Sequence, residues 1–170
     1  MRAGATPDIV ARLIADRLHD KAVRDALHDP DFVLIARTDA VAVEGFSAAI
    51  DRAGAYLAAG ADVIFVEAPT SEAEIADIAK RLPGWKLINM FEGGKTPLLP
   101  VSRLQALGYQ IVIIPSDAQR AAIKAMQRVL AAIARDGSSA SMRADMATFA
   151  ERETVIGTAD YLARDKKYAS

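Results

Sequence analysis

The chain has 170 residues, 52% of them hydrophobic and 25% charged, with a formal net charge of -1. That length suits one domain with a substantial buried core, and the balanced composition excludes a disordered chain and gives nucleic acid or an anionic membrane nothing to attract. There is no cysteine, hence no disulfide or thiolate chemistry within the chain; no apolar run approaches the ~20 residues of a membrane span, and "MRAGATPDIV" lacks the basic-then-apolar order of a secretory signal, so the expected setting is cytoplasmic.

Thr6 and Pro7 read as the N-cap and first residue of a helix, since proline loses nothing where the N–H is unpaired anyway. Ile9, Leu13, Val23 and Leu27 continue it at helical spacing, and it is expected to end before Asp29-Pro30. "DFVLIART" follows as a strand buried on both faces. A helix over 45–59 leads to a second such strand, "ADVIFVEA", and Ser71 caps a helix to about Leu82. "WKLINM" is the third strand and "YQIVIIPS" the fourth, with a short helix near Val101 to Leu107 between them, closed by Gly108. Asp117 caps a long helix to about Arg135, and a last amphipathic helix is expected from about Asp145 through Glu153. The tail "DYLARDKKYAS" reads as an arm, and Trp85 and Tyr109, at strand starts, are assigned to packing.

Four strands alternating with helices indicate parallel α/β architecture with right-handed crossovers. Doubly wound sheets and (β/α)8 barrels both contain such units, and both gather ligand chemistry at the C-terminal strand ends. There the polar residues collect. The first strand ends in Arg37-Thr38-Asp39, the second in Glu67, the third in Asn89 with Glu92 close by, and the fourth in Ser116 and Asp117 with Arg120 one turn on. Guanidiniums suit carboxylate or phosphate oxygens, and carboxylates suit metal or proton work. Taken singly, Asp39 and Asp117 read as helix caps and Arg37 as a structural ion pair. A rim carrying both signs at every strand end fits a small anionic substrate better. The stretch "NMFEGGKTPLLP" ends its glycines in Gly-Lys-Thr, but a Walker A loop needs glycine where Asn89 stands, and Pro97 follows at once.

Through "FVLIARTDA", "GADVIFVEA", "NMFEGGKTPLLP" and "GYQIVIIPSDAQRAA", in this order, the chain resembles the isocitrate lyase/phosphoenolpyruvate mutase superfamily from about Gly4 to the C-terminus. The resemblance implies a (β/α)8 TIM-type barrel, Mg2+ as cofactor, a small carboxylic-acid substrate and a homo-oligomer. It assigns Arg37 and Arg120 to substrate carboxylates, Glu67 to substrate and metal-bound waters, and Asn89, Phe91 and Glu92 to the substrate-facing loop after the seventh barrel strand. Methylisocitrate lyases usually carry Thr where this chain has Phe91 and an arginine about where Phe149 sits; both departures imply a smaller substrate.

The match begins around the fifth barrel unit. The family's metal-binding aspartates and its Lys-Lys-Cys-Gly-His segment belong to the first four, so no catalytic residue is assigned here. The expectation is a single partial domain over 1–170: units 5–8 of the barrel, about four parallel strands, with a C-terminal helical arm over 140–170. Four strands alone leave two open edges and one apolar inner face, so the chain is expected to be part of a longer protein or to complete a barrel with another chain, such as a complementing N-terminal half. The expected function is that of a fragment or half of a Mg2+-dependent carbon–carbon lyase or decarboxylase acting on a small 2-hydroxy or 2-oxo acid through a pyruvate-type enolate. The alternatives are a phosphonate P–C bond enzyme and a catalytically silent half-barrel serving as an assembly module.

Overall fold

The computed structural model describes residues 17–29 and 31–168, so the expected helix start at Thr6 and Pro7 lies outside the described residues. The chain forms two compact units, Met1–Asp117 and Ala118–Ser170. In the first, four parallel strands lie side by side in sequence order: β1 (Ile35–Thr38), β2 (Val63–Val66), β3 (Trp85–Asn89) and β4 (Ile111–Ile113). Around them run α1 (Arg17–Ala26), α2 (Ala40–Val43), α3 (Phe46–Ala58), α4 (Glu72–Arg81) and α5 (Val101–Leu107). Short βα connections and a parallel ladder are what the alternating pattern requires.

Alternation along each strand divides the residues between two faces. One face, with Ala36, Ile64, Val66, Ile88 and Val112, packs under α3, α4 and α5 against Ile50, Tyr56, Ile75, Ile78 and Leu104. The opposite face is set by the register Arg37↔Phe65, Phe65↔Leu87 and Leu87↔Ile111, and Val63, Phe65 and Leu87 form its buried centre. Each buried Val, Leu, Ile or Phe contributes roughly 1.5–3 kcal/mol relative to exposure. The expected bare inner face is therefore bare only in part: its centre is buried, while Ile35 and Trp85, at the N-terminal ends of β1 and β3, are exposed. Trp85 thus does not pack as expected. Tyr109 does, donating its hydroxyl to Ile75 O at 3.0 Å from a buried position.

Two strands are shorter than their apolar runs. In "DFVLIART" the Asp62 carboxylate accepts the Leu34 N–H at 2.8 Å, so a side chain takes the donor that a longer ladder would use. In "YQIVIIPS" the Gln110 side chain accepts the Lys86 N–H at 2.9 Å, and Pro115 beyond β4 has no N–H to continue. Only β2 is buried at every position; β1 and β4 each have one neighbour among the described residues, and β3 begins with the exposed Trp85. A groove of about 610 Å³ lies beside β4, lined by Val101, Gln105, Tyr109, Gln110, Val112 and Ile114. Ser71 caps α4 as expected, accepting from Glu74 N at 3.1 Å, and Gly108, at φ +95°, supplies the left-handed residue that closes α5.

The second unit is helical. The helix beginning at Asp117, α6 (Asp117–Asp136), presents exposed Ile123, Met126, Leu130 and Ile133. A 3-10 turn over Ala140–Asp145 precedes α7 (Phe149–Ile156) and α8 (Thr158–Tyr168). The last amphipathic helix therefore starts later than Asp145. Thr148 and Glu151 form a capping box that fixes its first turn, and the hydrogen bonds from Thr148 hold the Glu151 carboxyl below its ordinary value. The tail expected as an arm is α8. No helix of the described residues is long and apolar enough to cross a membrane.

Candidate functional site

The site is built where the strands of the first unit end. Arg37, the third residue of β1, lies on the same face as Phe65, its register partner on β2, and its guanidinium carbon stands 5.0 Å from the Phe65 ring centroid. A cation over an aromatic face is attracted by the ring quadrupole while the ring stays covered. Asp39 also grips the guanidinium, with Nε donating to Oδ2 at 3.1 Å and Nη2 to Oδ1 at 2.8 Å. That hydrogen bonding raises the Arg37 pKa, so the group stays cationic at any working pH. Asp39 stands at the N-cap position of α2 but makes no side-chain cap bond, which corrects the reading of Asp39 as a helix cap. Thr38 fills that role from within, its Oγ1 accepting Ala40 N at 3.2 Å.

Glu67 continues the β2 ladder by one bond, its N–H donating to Thr38 O at 2.9 Å. Its Oε2 lies 3.5 Å from Arg37 Nη2, a charge contact beyond good hydrogen-bond length, and is buried without a hydrogen-bond partner. Asn89 ends β3, and its Oδ1 is likewise buried and unpartnered. Glu67 and Asn89 each lie two residues beyond the Phe65–Leu87 register pair, so the chain directs both oxygens to the same end of adjacent strands. Buried polar atoms are ordinarily paired, and each exception calls for an explanation. Two adjacent acceptors left open in this way suit a ligand that donates, such as a hydroxyl, a water or a hydrated cation.

The loop after β3 turns at Phe91, whose carbonyl accepts Gly94 N at 3.3 Å, and the Phe91 ring lies against Gly94. Glu92 is exposed, and its N–H donates to the Asp117 carboxylate at 3.3 Å; Asp117 is the first residue within α6, not the residue capping it as expected. Arg37, Glu67, Asn89, Phe91 and Glu92 all belong to the first unit; Arg120 and the exposed Phe149 belong to the second. Among the described residues there is no group of three or more His, Cys, Asp or Glu side chains able to hold a metal. Sequence reasoning overlooked Phe65 beneath Arg37, although period-2 alternation from Glu67 would have put it on that face. It also overlooked Ala68, at φ +60°, because an alanine before proline reads as extended backbone.

The family model for phosphoenolpyruvate phosphomutase matches residues 10–134. The chain is 41% identical over 150 residues to 2,3-dimethylmalate lyase of Eubacterium barkeri, covering 88% of this chain and 52% of that protein. It is 42% identical over 149 residues to 2-methylisocitrate lyase of Bacillus subtilis (strain 168), covering 88% and 49%. Its fold is similar to a solved phosphonopyruvate hydrolase in complex with oxalate and Mg2+, with TM-score 0.72, 31% identity, and coverage of 91% of this chain and 55% of that one. The chain thus spans about half the length of the curated relatives it matches.

Proposed function

The chain belongs to the phosphoenolpyruvate mutase/isocitrate lyase superfamily, and we propose that it forms half of the substrate site of a carbon–carbon lyase or decarboxylase acting on a small 2-hydroxy or 2-oxo acid through a pyruvate-type enolate. One observation carries this reading: a guanidinium pinned at a strand end beside two buried oxygens without hydrogen-bond partners on the neighbouring strands. Arg37 binds a substrate carboxylate through the Nη1 side that Asp39 does not engage. Asn89 Oδ1 accepts a hydrogen bond from the substrate hydroxyl and orients it, and Glu67 holds a water or a hydroxyl proton at Oε2. Phe91 and Glu92 border the substrate on the β3 loop, and Arg120 is proposed as a second carboxylate anchor.

Magnesium fits this half only at one remove. Glu67 and Asn89 offer the hard oxygen acceptors that suit its bound waters, while direct ligands are not assembled among the described residues. When bound, the ion supplies positive charge that stabilises enolate oxygens. The similarity to phosphonopyruvate hydrolase supports a second reading, in which a P–C bond is cleaved at the same site.

The test is calorimetric titration of the chain with oxalate, a planar enolate mimic, with and without Mg2+. Saturable metal-dependent binding that is lost in Arg37→Ala is expected. No binding would favour the assembly-module alternative. In the barrel completed by its other half, pyruvate release from 2,3-dimethylmalate, set against turnover of phosphonopyruvate, then separates the two bond types. The one-sided pairing of β1 and β4 supports a further proposal, that other strands complete the sheet from a second copy or a complementing half. A monodisperse monomer in sedimentation would overturn it.

A further inference from the structure

Among the described residues, Ala68 is the one non-glycine with a positive φ, +60°, and it stands between Glu67 and Pro69. Two separate effects oppose that conformation. A Cβ in the left-handed region crowds its own backbone, and a following proline pushes the preceding residue toward extended geometry. Such a state persists only where the surroundings over-determine it. Here they do so on both sides. Before Ala68, the Glu67 N–H is held by Thr38 O at 2.9 Å. After it, Pro69 is fully buried, the Thr70 N–H and hydroxyl both donate to Glu74 Oε2 at 2.6 and 3.0 Å, and Ser71 caps α4.

We propose that Ala68 is a positioning residue, whose clamped left-handed backbone turns the chain out of β2 so that Glu67 keeps its carboxylate at the strand end with Oε2 open. The significance of that oxygen rests on the function proposed above; the positioning itself does not. Alanine matters because it has few alternatives: it is either held in this state or reverts to extended backbone. Glycine at the same place reaches many states at little cost, so the turn survives while its grip on Glu67 loosens.

The experiment compares the full chain with Ala68→Gly and Ala68→Val by thermal unfolding, by amide hydrogen exchange followed by NMR, and by oxalate titration in Mg2+. For Ala68→Gly, Tm should hold or rise by up to about 4 °C, because strain relief offsets the added chain entropy. At the same time the Glu67 amide should exchange about tenfold faster or more, while Ile64, in the middle of β2, is unchanged. Ala68→Val should lower Tm, since a β-branched residue tolerates positive φ least. The proposal is overturned if Glu67 exchange is unchanged in Ala68→Gly, if Tm falls and all amides accelerate together, or if Ala68→Val is neutral. Oxalate binding judges the functional reading separately: a wild-type chain that ignores oxalate ends that reading, whereas the exchange result decides the role of Ala68.

Discussion

Arg37 and Asp39 face each other across Thr38 in a two-point ion pair, with Nε–Oδ2 at 3.1 Å and Nη2–Oδ1 at 2.8 Å. The pair is open to solvent, with side-chain exposures of 51% and 61%, so its contribution to stability is at most ~1 kcal/mol. Asp39→Asn should therefore change the urea unfolding free energy by less than about 1 kcal/mol. Arg37→Ala should cost more, about 1–2 kcal/mol, because it uncovers Phe65 and removes the cation beside the largely buried Glu67. Equal small losses in the two variants would mean that neither Phe65 nor Glu67 depends on Arg37.

The Phe91 ring and Gly94 make a second close pair. A Cβ added at Gly94 would stand 3.0 Å from Phe91 Cζ and 3.1 Å from Cε1, closer than ordinary packing allows. Gly94→Ala should push the ring aside and cost about 1 kcal/mol, the low end for overpacking, since the ring tip can swing. In the Phe91→Ala background the same change should be near neutral. A double-mutant cycle with no coupling beyond about 0.3–0.5 kcal/mol would show that the ring does not rest on Gly94.

At the opposite end of the sheet, the Arg24 side chain lies over Gly60 and its Nη2 reaches Asp62 Oδ1 at 2.7 Å. Gly60 has φ +105°, and a Cβ there would meet Arg24 Cγ at 3.0 Å. Gly60→Ala combines backbone strain with a displaced salt bridge, for an expected cost of about 1–3 kcal/mol. Limited proteolysis should then cut within 17–26 earlier than in the wild type. Unchanged cleavage would mean that Arg24 does not anchor α1.

Two buried groups oppose one another in alkali. Burial pushes the Tyr109 hydroxyl well above its ordinary 10.0, so above that pH the unfolded chain releases a proton that the folded chain keeps, and stability falls. Burial pushes the Lys86 ammonium, which donates to Gly84 O at 2.7 Å, below its ordinary 10.5. Below 10.5 the unfolded chain holds that proton more tightly, so this group adds stability as pH rises toward 10.5. Urea midpoints followed between about pH 9 and 11 should fall less steeply in Tyr109→Phe and more steeply in Lys86→Met than in the wild type. Parallel curves for all three proteins would contradict both assignments.

Much of the first unit was legible in local pattern. Apolar runs marked β2 and β3, Ser71 and Gly108 marked helix ends, and the polar exits located Arg37, Glu67 and Asn89. Two of the errors share one cause, a side chain taking a distant backbone partner. The Asp62 side chain takes the Leu34 N–H just before β1, and the Gln110 side chain, just before β4, takes the Lys86 N–H of β3. Asp39 left its expected cap for a neighbouring guanidinium, and the capping box at Thr148 outweighed the apolar periodicity from which the last helix was read.

The sequence by itself determined the element order, the parallel alternation and the family, because these follow from short-range periodicity, turn residues and the order of motifs along the chain. The tertiary structure alone decided which strand-end groups are spent on one another and which stay open. Whether Arg37 meets Asp39, Glu67 or a ligand depends on strand register and on the burial of Phe65. The left-handed Ala68 depends on clamps from β1, Pro69 and α4 acting together, and no local propensity encodes a conformation that its own residue type disfavours.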